Sequence, residues 1–402
     1  MLPNARPLTR ERKLVPFFRK AALAPAVTLL VAACRSESGH APDFPLVVDA
    51  GPDLRAYAGA AVPLTFRASD SAETRGPWSY EINWGDGSVD TGHVTALGQS
   101  VTATHVYAAP GNHVAAVTVS QADGEAASQA VAVLVEPPGT PEVFVGAGDI
   151  ASCDSTDTDD EGTAELLDGI PGTVFTLGDN AYEDGTPAEY ARCYQPTWGR
   201  HRKRTRPSPG NHDYLTPTAK GYFAYFGVAA ADRDKGYYSY DLGDWHIIVL
   251  NSNIDWHAGR PQEQWLRADL AASTKRCTLA YWHHPRFSSG TTHGGDPGAQ
   301  AFWQALYDAG ADVVLSGHEH NYERFAPQTP DGTADSVRGI RQFVAGTGGE
   351  YTYRFGPPVA NSEVRARVHG VFKLTLSSGS YTWQFIPVAG QTFSDSGSGT
   401  CH

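Results

Sequence analysis

From about residue 143 onward, short apolar runs that read as strands alternate with longer runs that read as helices, and most strand runs end in a carboxylate, an amide or an imidazole. The series is VFVGAGD, TAELLDGI, TVFTLGD, the 187–199 stretch, WHIIVLN, PQEQWLRADLAAS, CTLAYWH, AQAFWQALYDAG and ADVVLSGH. Their alternation predicts an α/β layered fold with the strands buried between helices. In open α/β sheets, ligands sit beyond the carboxyl ends of the strands. Those ends carry Asp149, Asp179, Asn211 with His212, His283, and His318 with His320. Any one of them has a structural explanation, such as capping a helix or filling a core position. As an ordered set they predict a metal site. The mixture of carboxylate, amide and imidazole suits Mn, Fe or Zn better than an all-oxygen Ca or Mg cage. The later runs IRQFVAGTGG, GVFKLTLSSG and YTWQFIPVAG predict additional antiparallel strands.

The preceding part of the chain follows a different pattern. Between 44 and 135, short β-rich runs such as AVPLTFRAS and SYEINWGDGS are separated by turns and predict a small antiparallel sandwich. A Pro-rich linker, EPPGTPE at 136–142, separates it from the α/β part at 143–402. The tetrapeptide PGNH occurs once in each part, at 110–113 and at 209–212. Pro-Gly-Asn is ordinary turn chemistry. The first copy reads as a turn before the last long strand, since no ligand cluster surrounds His113; the second lies within the series of strand ends. GAGDIA at 146–151 fits a dinucleotide fingerprint, but Asp149 would put a carboxylate where pyrophosphate must sit. The acidic run DSTDTDDE that follows lacks EF-hand spacing and reads as a solvated loop and helix start.

With 31 Lys and Arg against 44 Asp and Glu, the 402-residue chain has a net charge of −13, which argues against general nucleic-acid affinity. The basic run RHRKRTR at 200–206 reads as a solvated surface, with a substrate-attracting patch as the alternative. Residues 1–33 read as a signal segment, because basic RERK and FRK precede an apolar stretch too short to span a bilayer comfortably. Val31-Ala32-Ala33-Cys34 resembles a bacterial lipobox. It implies lipidation of Cys34, a linker over 34–43, and a cell-surface or periplasmic protein that meets the membrane only through that anchor, with simple secretion as the alternative. In an oxidising compartment, Cys153, Cys193, Cys277 and Cys401 predict two disulfides. Of the three connectivities, the preferred one pairs Cys153 with Cys193 and Cys277 with Cys401.

Trp84-Gly85-Asp86-Gly87-Ser88 and the stretch from Tyr107 to Val119 resemble the PKD family of immunoglobulin-like modules, which implies contact with a polysaccharide or a protein. The set Gly148-Asp149, Gly178-Asp179-Asn180-Ala181-Tyr182, Gly210-Asn211-His212-Asp213, His283-His284-Pro285 and Gly317-His318-Glu319-His320 resembles the calcineurin-like metallophosphoesterases. Tyr182, three residues after Asp179, is similar to the purple acid phosphatase branch.

This resemblance implies a four-layer αββα sandwich and two metal ions, Fe(III) plus a divalent Zn, Fe or Mn. It places the first on Asp149, Asp179, Tyr182 and His320 and the second on Asn211, His283 and His318, with Asp179 bridging. The implied activity is hydrolysis of phosphomonoesters by hydroxide activated between the metals, with phosphodiesters as the alternative substrates. By the same resemblance His212 is catalytic, Asp213 orients it or caps the next turn, His293 contacts phosphate, and His284 and Asn180 lie at the substrate. Ala151 stands where the family's first motif usually has Gly or His, which removes only an optional ligand. A surface adhesion or polysaccharide-binding protein with an inert metal domain is the rival of another class.

Overall fold

The structure is a computed structural model and describes residues 46–70, 77–121, 125–153, 159–233 and 235–402. The expected signal segment, the 34–43 linker and Cys34 lie outside the described residues, as does most of DSTDTDDE. No helix among the described residues is long and apolar enough to cross a membrane.

The N-terminal domain is a β-sandwich. One sheet holds Val47–Asp49, Ala61–Ser69 and Ser100–Val106; the other holds Leu54–Tyr57, Ala126–Glu136, Gly111–Gln121, Trp78–Asn83 and Val89–Val94, in that order. Burial alternates along Ala61–Ser69, as a half-buried strand requires, and Leu64 and Phe66 meet Ile82, Val117, Val133 and Trp84 in one core. The Tyr107 hydroxyl donates to the Trp84 carbonyl at 2.9 Å inside that core. Two details differ from expectation. Leu54–Tyr57 pairs parallel with the 133–136 segment, so the sandwich is not wholly antiparallel. The first PGNH precedes the penultimate long strand rather than the last, because Ala126–Glu136 follows Gly111–Gln121. His113 is a packing residue, its ring stacked on Tyr107 at 4.5 Å.

The second domain is built on two sheets. The first runs in the order Thr205–Ser208, Thr173–Leu177, Glu142–Ala147, Gly370–Ser377, Ser380–Pro387, Ser396–Thr400. The second runs Tyr238–Leu242, Trp245–Val249, Cys277–Tyr281, Val313–Ser316, Arg341–Ala345, Tyr322–Phe325, Ser362–Ala366. Because side chains alternate faces along a strand, each apolar run serves two cores. Phe144, Ile247, Leu279 and Val313 pack between the sheets, whereas Val145, Ile248, Ala280 and Val314 pack on their outer faces. Asp159–Asp168 and Lys220–Phe226 contribute to one outer core, and Pro261–Ala272 and Gln300–Asp308 to the other. This is the αββα layering.

Of the later strands, Gly370–Ser377 and Ser380–Pro387 form an antiparallel hairpin. Arg341–Ala345 instead runs parallel to Val313–Ser316 and antiparallel to Tyr322–Phe325, because the chain returns between those two strands.

The basic run at 200–206 is partly structural. Arg204 donates to the carbonyls of Leu167, Ile170 and Gly172, which lie at and just beyond the end of Asp159–Asp168, and His201 is buried. Both disulfides form with the preferred pairing, Cys153–Cys193 and Cys277–Cys401, each with Cα atoms 5.4 Å apart. At the seam between domains, Arg55 pairs with Glu136 and Glu142, and the Tyr57 hydroxyl donates to Glu142 at 2.5 Å.

His246 makes stability pH-dependent. Its ring nitrogens meet Asp241 at 3.1 Å and Asp269 at 2.8 Å. Burial alone would lower its pKa, but the two carboxylates outweigh burial and raise it to about 9. A raised folded-state pKa gives stability that is complete below the ordinary histidine value and disappears as pH rises through the folded value. Urea unfolding should therefore show about 1–2 kcal/mol less stability at pH 9 than at pH 6.5, with the difference largely absent in His246→Gln. Equal pH dependence in the two proteins would refute this assignment.

Candidate metal centre

The carboxyl ends of the parallel strands in both sheets meet at one edge of the second domain. Glu142–Ala147, Thr173–Leu177 and Thr205–Ser208 lead to Asp149, Asp179 and Asn211; Cys277–Tyr281 and Val313–Ser316 lead to His283, His318 and His320. The turns are tight. Asp149, Asp179 and His318 have positive φ values of 59°, 48° and 70°, a region side chains adopt at a cost and one that recurs at functional sites. Gly210 is required by close approach, since a Cβ there would lie 2.1 Å from Asp179 Oδ1.

Two groups of donors result. In the first, Tyr182 Oη lies 3.1 Å from Asp149 Oδ1, 3.2 Å from Asp179 Oδ2 and 3.2 Å from His320 Nε2. In the second, His283 Nε2 lies 2.9 Å from Asn211 Oδ1, 3.1 Å from Asp179 Oδ2 and 3.1 Å from His318 Nδ1. Asp179 Oδ2 belongs to both.

Main-chain carbonyls orient two of the imidazoles. His283 Nδ1 donates to Leu177 at 2.7 Å and His320 Nδ1 to Tyr351 at 2.8 Å, which turns both Nε2 atoms toward the donor groups. A phenol has one proton and His283 Nε2 at most one, yet each faces three acceptors. The surplus of buried lone pairs fits cations better than it fits hydrogen bonding. It suits a phenolate-tolerant hard ion in the first group and a divalent ion in the second.

The electrostatics agree. Burial, then Asp179 and Asp149, push the Tyr182 phenol well above its ordinary range; a cation at that point would reverse the effect. Burial pushes Asp179 up, but His283 outweighs it and holds the carboxyl well below the usual range. Burial lowers His283, and Asp179 outweighs that too, raising it to about 9. Burial followed by the neighbouring imidazoles of His283, His284 and His293 depresses His318 strongly.

The other expected residues divide. His212 Nδ1 donates to the Glu183 carbonyl at 2.6 Å, and its ring lies against Tyr182 at 4.5 Å between centroids. The His293 ring stacks on His318 at 4.0 Å, and that of His284 lies 4.3 Å from His318, with Nδ1 on the Ser252 hydroxyl at 2.7 Å. All three histidines are at the centre.

Asn180 corrects the sequence reading, and Asp213 takes the capping role, one of the two expected of it. The Asp213 carboxylate does not orient His212; it accepts from the Gly210 amide at 2.8 Å, the Asn180 side chain at 3.0 Å and the Tyr190 hydroxyl at 2.6 Å, and so caps the turn. Asn180 is fully buried and donates to Asp213 and to the Ser208 carbonyl, so it braces the 208–213 turn and has no face to offer substrate. The physical reason is shared: both side chains point under the centre, where burial leaves them each other, the backbone and, for Asp213, the Tyr190 hydroxyl.

Tyr353 was missed. It stacks on His320 at 3.9 Å with an interplanar angle of 12°. Its signal was the aromatic pair Tyr351 and Tyr353 just after a Gly-rich strand end.

The comparisons with known proteins follow the same outline. Residues 43–135 match the family model of the PKD domain, and residues 125–322 match that of the calcineurin-like phosphoesterases. The chain carries a calcineurin-like phosphoesterase domain behind a PKD domain. The phosphoesterase is similar to Purple acid phosphatase 15 of Arabidopsis thaliana, 29% identical over 197 residues, which are 40% of this chain and 37% of that protein. It is similar to Purple acid phosphatase 21 of the same plant, 30% identical over 214 residues, 46% of each chain. The chain thus matches less than half the length of these relatives. Among solved structures, a purple acid phosphatase from yellow lupin seeds superposes with a TM-score of 0.62 at 17% identity, covering 86% of this chain and 73% of that one. GAP50 of Plasmodium, described as an anchor in the inner membrane complex, superposes at 0.52 with 14% identity over 65% of this chain and 90% of that one. At such identities these two show the fold.

Proposed function

We propose that this phosphoesterase is an exported phosphomonoesterase that works with two metal ions. The observation that carries the reading is the pair of donor groups sharing Asp179 Oδ2, each with more acceptors than protons. Asp149, Asp179, Tyr182 and His320 would hold one ion, and Asn211, His283 and His318, with Asp179 shared, the other. Two ions there would supply Lewis acidity toward water and toward the phosphoryl oxygens.

The chain's own residues do the rest. His212, with Nδ1 fixed on the Glu183 carbonyl, keeps Nε2 for the phosphoryl group or the leaving oxygen. The rings of His293 and His284 lie against His318. Asp213 and Asn180 hold the turn that carries Asn211 and His212.

The test combines metal analysis with turnover of p-nitrophenyl phosphate and its bis ester. The expected result is about two metals per chain, preference for the monoester, and a visible charge-transfer band that Tyr182→Phe abolishes. Preference for the bis ester would replace the monoesterase reading with a diesterase. Folded protein that neither takes up Fe and Zn nor turns over either ester would leave the adhesion reading, consistent with an anchor sharing the fold.

Export is supported by the two disulfides, and the PKD domain's contact with polysaccharide or protein by its family. Membrane attachment should depend on Cys34: if Cys34→Ser partitions into detergent as the parent does, the lipid anchor is wrong.

A further inference from the structure

The 286–295 loop, which carries His293, has no regular secondary structure and only one isolated bridge, from Gly290 to Phe355. Its amides must find partners elsewhere. Two fully buried carboxylates supply several of them. Glu323 accepts from the Ser289 amide at 2.7 Å and from the hydroxyls of Ser288, Ser289 and Ser362. Glu319 Oε1 accepts from the amides of His293 and Gly294, both at 2.6 Å. Both bonds are at the short end of the range for N–H donors.

The contact is close enough to dictate a residue type. A Cβ at position 290 would lie 2.1 Å from Glu319 Cδ, so the loop closes over the carboxylate only with glycine there. Beyond the bond, the His293 ring stacks on His318 at 4.0 Å with an interplanar angle of 29°, and it lies 5.5 Å from the Tyr353 ring. Glu319 stands between His318 and His320 in the chain, so the loop is tied to the same backbone that carries two of the proposed ligands.

We propose that Glu319 is a positioning residue that holds His293 over His318 by accepting the His293 and Gly294 amides. What His293 meets there, a phosphoryl group, rests on the phosphoesterase reading; the placement of the loop does not. Glutamine keeps an acceptor oxygen, whereas alanine leaves the two amides without one.

Two measurements test this. Hydrogen exchange, followed by mass spectrometry on peptides covering 289–295, should be at least about 10-fold faster in Glu319→Ala than in the parent, with Glu319→Gln in between. In p-nitrophenyl phosphate turnover, Glu319→Ala should lower kcat/KM by about 10- to 100-fold, mainly through KM, with metal content unchanged, and Glu319→Gln should recover most of it. Introduced into His293→Ala, Glu319→Ala should cost less than about 2-fold more.

Unchanged exchange would overturn the proposal. So would full additivity of the two substitutions, or metal loss corrected by added metal, since Glu319 would then act on His318 and His320 instead. Faster exchange in a protein whose parent hydrolyses no ester would support the positioning of the loop while sinking the phosphoesterase reading.

Discussion

Replacing Asp179 with Asn should remove bound metal from both groups of donors and lower phosphomonoester turnover by about 10³-fold or more, beyond the loss of one oriented donor. Asp179 Oδ2 is the single atom common to the Tyr182 and His283 groups, at 3.2 and 3.1 Å. An amide there presents either an N–H, which repels a cation, or an uncharged oxygen. The other carboxylate oxygen has a separate task, accepting from the His212 amide at 2.8 Å, so the substitution also loosens the turn that presents His212. Metal analysis of the purified variant should find well under one ion per chain. Its metal-free form should unfold earlier than the metal-free parent, because the substitution leaves buried His283 without the carboxylate that pairs with it. A variant that keeps two ions and normal turnover would refute the bridging role.

The second large effect concerns stability. Removing the Cys277–Cys401 disulfide by Cys277→Ala with Cys401→Ala should cost about 3–5 kcal/mol in denaturant unfolding, because the bond spans a sequence separation of 124 and long loops lose most entropy on closure. The local sequence makes that loss hard to offset. Ser396–Thr400 reads SGSGT and is the edge strand of its sheet, with glycines where a Cβ would strike Tyr381 and Trp383, so it buries little apolar surface of its own. The disulfide joins this end of the chain to the first residue of Cys277–Tyr281, in the other sheet. Turnover at low temperature should survive, since the crosslink joins the start of that strand and the metal centre lies beyond its end. A loss below about 1 kcal/mol would show that packing alone holds the terminal strand.

The donors were legible because they break a pattern. Apolar runs that end in Asp149, Asp179, His283 or His318 place polar groups where the neighbouring strand residues are fully buried, and such placement asks for a ligand. Direction of side chains was not legible. Asp213 follows His212 in sequence yet points beneath it, and Asn180 follows Asp179 yet turns into the 208–213 turn, because successive residues in these tight loops face opposite ways. Glu319 carried no signal either, since its partners are backbone amides of a loop 25 and 26 positions away.

By itself the sequence determined the two periodicities, the break between domains, the chemical types of the donors and their order along the chain. All of these depend on residue type and spacing. Only the tertiary structure decided which donors share an atom, which of three disulfide pairings forms, and which polar neighbours face inward. Asp149, Asp179 and Asn211 come from the strand ends of one sheet, and His283, His318 and His320 from those of the other. The distances between these two groups are set by how the sheets pack face to face, a long-range property that local spacing does not contain.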